Sequence, residues 1–242
     1  MALLDRTARR APSSPDQPDE PDSLPERILR LGLAMALVAV LIQTTAELTN
    51  YFVFDMGVWN FDADADDNGF AWASSVAQFA PAFTCLLLAL TGWWSTRRLV
   101  ALSLILAFFS LDDIARFHEN LGSAVREHIF GLETGFGRLI WPIVFFPLLA
   151  AAFILLWQFG ERAGERAGRF VRVGLLMLVL ATFAEAGSSV IHVGDADAEG
   201  RLPDVLEVSI EEGLELAAWI LIASATTSVL AAVLTRQERP AS

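Results

Sequence analysis

Apolar residues run in long stretches separated by short polar breaks. Six stretches approach or exceed the ~20 residues a helix needs to cross a bilayer. They cover about 28–52, 70–94, 99–120, 138–159, 170–193 and 204–235. The third and fifth are apolar only in their first halves, the sixth only in its second. This pattern predicts an all-α, six-helix transmembrane bundle over residues 27–236. Residues 1–26, rich in Pro, Asp, Ser and Arg, have no apolar core of signal-peptide length. They read as a disordered cytoplasmic tail, with 237–242 as a second short tail.

Arginine placement predicts orientation, because positive charge stays on the cytoplasmic side. One side collects Arg6, Arg9, Arg10, Arg27 and Arg30, then Arg97 and Arg98, then Arg162, Arg166, Arg169 and Arg172, and finally Arg236 and Arg239. The other side keeps Arg116, Arg126, Arg138 and Arg201. Both termini are therefore expected in the cytoplasm of a multi-pass plasma-membrane protein, with loops 55–69 and 194–203 outside.

In that orientation the polar residues share a depth. Span 1 ends in "QTTAELTN", with Gln43, Glu47 and Asn50 within about 60° on a helical wheel. Span 2 starts "NGFAWASS", with Asn68, Trp72 and Ser75 on one narrow face. Span 3 ends "SLDDIARFHENLG", where Asp112, Arg116 and Glu119 share a face and Asp113 and His118 flank it. Span 5 ends "EAGSSVIH", with Glu185, Ser188, Ser189 and His192 on an arc of about 100°. Span 6 begins "EVSIEEGLEL", with Glu207, Glu211, Glu212 and Glu215 opposite Gly213. Five helices thus turn polar toward the outer boundary, which predicts one polar cavity there. Glu47, Asn50, Asn68, Trp72, Ser75, Ser188 and Ser189 are expected to line it.

Carboxylates and imidazoles on facing helices form the ligand sets of zinc, iron and manganese sites. The candidate metal ligands are Asp112, Asp113, His118, Glu119, Glu185, His192, Glu211, Glu212 and Glu215. The same residues would also suit a protonated or ion-paired helix contact, or a proton or cation pathway. Two loops, 64–69 "DADDNG" and 195–200 "DADAEG", alternate oxygen donors as weak calcium loops do. Neither carries the glutamate that an EF-hand needs at its twelfth position.

Composition removes several classes. The net charge is −12 and all 17 basic residues are arginine, so a retinal Schiff base on lysine is excluded. The acidic balance argues against nucleic acid as a partner. Cys85 stands alone, which rules out an intramolecular disulfide and thiolate metal clusters.

"DDNGFAWASS", "FFSLDDIARFHENLG" and "EEGLEL", in that order, resemble a family of bacterial multi-span membrane proteins. Those carry Asn-x-x-x-Trp-x-Ser-Ser, Ser-Leu-Asp-Glu…His-Glu and Glu-Glu-x-x-Glu-Leu motifs, and Asp113 stands where they usually have glutamate. The resemblance implies a bacterial inner-membrane fold and a site but no reaction. Ser188-x-x-x-His192 is also similar to one motif of the alkaline ceramidases, seven-span zinc hydrolases; their His-x-x-x-His pair has no counterpart here.

These readings lead to a metal-dependent, hydrolase-like enzyme at the outer leaflet, acting on a lipid or lipid-linked substrate. The alternatives are a proton- or cation-coupled carrier or sensor, and a structural membrane subunit.

Overall fold

A computed structural model describes residues 23–63, 65, 68–125, 137–191 and 202–237. All regular elements among them are helical. α1 is Leu24–Phe54, α2 Gly69–Thr91, α3 Thr96–Ala115, α4 Phe117–Val125, α5 Gly137–Arg162, α6 Glu165–Ile191 and α7 Leu202–Gln237. α1, α2, α5, α6 and α7 each contain a segment long and apolar enough to cross a membrane. The protein is therefore a multi-pass membrane protein embedded in a lipid bilayer.

α3 departs from the expected third span in two ways. Its apolar stretch is bracketed by Arg97 and Arg98 at one end and Asp112 and Asp113 at the other, so by composition alone it does not qualify. It also stops early. Arg116 adopts left-handed backbone angles (φ 54°, ψ 37°) and its N–H bonds Asp112 O at 2.7 Å. The continuous helix expected to residue 120 is thus split into α3 and α4.

The N-terminal boundary also moves. α1 starts at Leu24 because Pro25 suits a first helical turn, where its missing N–H costs nothing. Ser23 O accepts from the N–H groups of Glu26 and Arg27. Residues 24–26, expected in the tail, are helical; 1–22 lie outside the described residues.

α7 is the central helix and packs against α1, α2 and α6. Small residues permit these approaches, as membrane packing requires where no hydrophobic force drives helices together. A Cβ on Gly32 would sit 1.8 Å from Ser224 Oγ, and one on Gly174 would sit 2.8 Å from Ile222 Cγ1. Ser228 Oγ bonds Pro25 O at 3.1 Å, and Gly213 lies against Val40. α1 and α7 are therefore antiparallel along their length. Gly92 (φ 70°) and Gly164 (φ 86°) supply the left-handed residues of the tight α2–α3 and α5–α6 turns.

These contacts sort the helix ends. The start of α1, the α2–α3 and α5–α6 turns and the end of α7 lie together with the arginines. Arg166 pairs with Glu26, and Arg98 Nη1 bonds Gln158 Oε1 at 3.1 Å. Leu88, Leu99, Leu102, Leu156, Phe159 and Val171 fill the core.

Candidate functional site

α1 is inverted relative to a soluble helix. Leu31, Leu37 and Leu41 are 61–67% exposed, while Gln43 and Glu47 are 1% exposed and Asn50 is 0%. Leu29, Gly32, Ala36, Gln43, Glu47 and Asn50 form one buried stripe at helical spacing. Its first half is apolar or small, its second half polar. The outward apolar face meets lipid and the polar stripe faces protein.

The polar half of this stripe holds the segment that follows α1. Asp55 and Met56 take positive φ (49° and 57°) and end the helix. Asn50 O accepts the Met56 N–H at 3.0 Å, and Asn50 Oδ1 accepts the Val58 N–H at 2.9 Å. Glu47 Oε2 accepts the Ala63 N–H at 2.6 Å. From the other side Asn68 caps α2, its Oδ1 accepting the N–H groups of Phe70 (2.8 Å) and Ala71 (3.1 Å). Its Nδ2 donates to the carbonyls of Trp59 and Asp62. Three buried side chains thus fold residues 55–63 back over the bundle end.

α2 and α3 are joined at the same end by paired serines. Ser75 Oγ donates to Ser110 O at 2.7 Å and Ser110 Oγ donates to Ser75 O at 2.8 Å. The hydroxyls lie 3.0 Å apart. Ser74 and Gln78, one turn apart, are buried beside them and bond at 3.4 Å. Asp112 follows in the next half-turn and is 7% exposed. On α7, Ser209 is buried, and Glu207, Glu211, Glu212 and Glu215 are half-buried. The Gly213–Val40 contact sets the α1–α7 register, and one further turn brings Gln43 level with Ser209.

Buried polar atoms at this end without a hydrogen-bond partner among the described residues include Gln43 Oε1 and Asn50 Nδ2 on α1, and Glu207 Oε1 and Ser209 Oγ on α7. Buried polar groups are normally satisfied, so these mark a place able to take water or a polar ligand.

Of the expected cavity residues, Glu47, Asn50, Asn68 and Ser75 are buried at one end. Trp72 is not among them. It is 59% exposed and lies on the outward stripe of α2 with Val76, Phe79 and Phe83. The side chains of Ser188 and Ser189 lie outside the described residues.

Of the expected metal ligands, Asp112, Asp113, Glu211, Glu212 and Glu215 are described. The side chains of His118, Glu119 and Glu185, and all of His192, are not. Among the described residues no group of three or more His, Cys, Asp or Glu side chains is placed to hold a metal ion. The break at Arg116 also ends the shared face assumed for Asp112, Arg116 and Glu119. In the 64–69 loop, Asn68 Oδ1 accepts the N–H groups of Phe70 and Ala71, and Asp64, Asp66 and Asp67 lie outside the described residues. Loop 195–200 lies outside the described residues.

Sequence reasoning passed over Ser74, Gln78, Ser110 and Ser209. Ser110 was detectable, since it stands two positions before Asp112 in the same polar stretch. Ser209 sits among the glutamates of "EVSIEEGLEL" and was masked by their charge.

The fold and this end of the bundle define a multi-span membrane protein with a buried polar end. The chain belongs to the family described as Domain of unknown function (DUF8692), which matches residues 28–230. No curated protein and no solved structure matches it.

Proposed function

We propose that this is a six-span membrane protein with both termini in the cytoplasm and a one-sided, acid-rich binding site at the outer end. α3 serves as a further crossing beside the five apolar helices, third in chain order. Its start is tied to α5 through Arg98 and its end to α2 through Ser110, so it runs the same distance as its neighbours. The arginine bias supplies the orientation.

The observation that carries the reading is the set of unpartnered buried atoms beside Glu47, at the end where α3 and α7 also bring carboxylates. Such a site attracts a cation or a polar headgroup. It is closed from the other side. Among the described residues, the buried polar groups of the opposite half are Thr84, Ser103, Ser224, Thr226 and Ser228, with no carboxylate, imidazole or guanidinium. An ion crossing that half would find no ionisable lining. A bound site therefore fits better than a transport path.

The finer reading is a metal-dependent hydrolase of a lipid or lipid-linked substrate. It needs His118, Glu119, Glu185 and His192 to complete what Asp112, Asp113, Glu211, Glu212 and Glu215 begin. Zinc, iron or manganese would supply Lewis acidity and an activated water there. Metal analysis of the purified full chain tests this. A stoichiometric divalent metal that is lost in Glu212→Gln and His118→Ala variants, both still folded, supports it. Metal-free protein that dissipates a proton gradient in liposomes only when Glu215 is intact would make the protein a carrier instead.

A further inference from the structure

A second feature lies at the opposite, arginine-rich end and is independent of the acidic site. Where the α2–α3 turn meets the end of α5, Trp94, Arg98, Gln158, Glu161 and Arg162 line a groove of about 490 Å³. Along α5, toward the middle of the bundle, a second hollow of about 340 Å³ is lined by Phe153, Ile154, Trp157 and Gln158. Gln158 borders both, so a charged hollow and an apolar hollow adjoin at its side chain. Phe153 and Trp157 stack with centroids 6.3 Å apart and form a flat apolar wall.

The charges at this end are not distributed evenly. Arg166 pairs with Glu26, Arg169 with Glu165, and Arg172 with Glu161 at 3.3 Å. Arg98 and Arg162 have no carboxylate partner among these ion pairs of the described residues. They are held instead by tryptophans. The Arg98 guanidinium sits 5.5 Å from the Trp94 ring centroid, and that of Arg162 sits 5.9 Å from the Trp93 ring. Arg162 Nε also donates to Trp93 O at 3.3 Å. The one acid in the groove, Glu161, is engaged by Arg172. Two guanidiniums are thus preorganised on aromatic faces with donors to spare.

We propose that these two adjoining hollows together bind one anionic phospholipid. The phosphate meets Arg98 and Arg162, as arginine forks favour phosphate. The Gln158 amide lies at the level of the glycerol esters, and an acyl chain runs along Phe153, Ile154 and Trp157. Tryptophans at such a boundary mark the headgroup level of a bilayer. A zwitterionic lipid would bring its own ammonium toward two unneutralised arginines, which disfavours it. Free phosphate would gain nothing from the apolar hollow.

The test is native mass spectrometry of the delipidated full chain titrated with phosphatidylglycerol, phosphatidylcholine or inorganic phosphate. Phosphatidylglycerol should bind preferentially. Arg98→Gln/Arg162→Gln should weaken it by roughly tenfold or more, since it removes both positive charges that attract an anionic headgroup. Arg98→Lys/Arg162→Lys should keep most of the preference. Gln158→Glu, which leaves both arginines in place, should reduce it as well and guards against misfolding of the double variant. Equal binding of the two lipids would overturn the proposal. So would a phosphatidylglycerol preference untouched by Gln158→Glu and the folded double variant, or inorganic phosphate that competes as well as the lipid.

Discussion

Glu47→Ala removes a carboxylate that is 1% exposed and accepts the Ala63 N–H at 2.6 Å. A hydrogen bond to a charged group contributes about 1.5–3 kcal/mol, and leaving its buried partner unsatisfied adds to the loss. Ala63 is 5% exposed, so its N–H has little access to water once the acceptor is gone. The truncation also leaves a hole in the α1 stripe. Together these predict a loss of about 3 kcal/mol, equivalent to a fall in Tm of roughly 6–12 °C for a chain of this size. Glu47→Gln keeps an acceptor oxygen and should lose about 1 kcal/mol. Thermal unfolding in detergent gives the stability, and hydrogen exchange gives its location. In Glu47→Ala the amides from Val58 to Ala63 should exchange faster, while α2 and α7 stay protected. Unchanged Tm and unchanged exchange in Glu47→Ala would refute the reasoning, because Glu47 would then not be holding the segment and would be available to a ligand or proton.

Gly32→Leu should destabilise the α1–α7 contact, because a Cβ there sits 1.8 Å from Ser224 Oγ and 2.4 Å from Ser224 Cβ. Adding Ser224→Gly should restore much of the Tm; additive losses would show that the two residues do not meet. Ser75→Ala and Ser110→Ala should each cost about 0.6–1.7 kcal/mol, the range of interhelical hydrogen bonds in membranes, and the double variant should cost less than their sum. A sum that is strictly additive would break the serine pairing. In a Cys85→Ser background, Asn60→Cys should react with an impermeant maleimide added outside whole cells, and Glu165→Cys only after lysis. The reverse pattern would invert the proposed orientation.

The helices themselves were legible because a bilayer demands one thing of a sequence: an apolar stretch of sufficient length. The departures occur where backbone geometry, not side-chain polarity, decides. Nothing in "LDDIARFHEN" announces a helix break, since none of these residues is glycine or proline. The break rests on Arg116 adopting left-handed angles and closing back on Asp112 O. Trp72 stands outside the buried face for a different reason. The buried arc of α2 is centred on Ser74, Ser75 and Gln78 rather than on Asn68, Trp72 and Ser75. Trp72 lies about 100° from that centre, with Val76 and Phe79 on the outward side.

The polar residues near the helix ends have two physical uses that a sequence does not separate. An irregular segment close to hydrocarbon must have its backbone satisfied by protein. Glu47, Asn50 and Asn68 meet that need for residues 55–63, and each is bonded to a main-chain group of that segment. Their burial alone is therefore weak grounds for a reacting site. The glutamates of α7 stand differently. Leu202–Gln237 is one uninterrupted helix, so the backbone around Glu211, Glu212 and Glu215 is already satisfied by the helix itself. Carboxylates placed two or more turns inside the central helix are not needed for capping and cost energy to bury. Binding at the proposed outer-end site should depend on Glu211, Glu212 and Glu215 more steeply than on Glu47, whose loss should first appear as an unfastened loop.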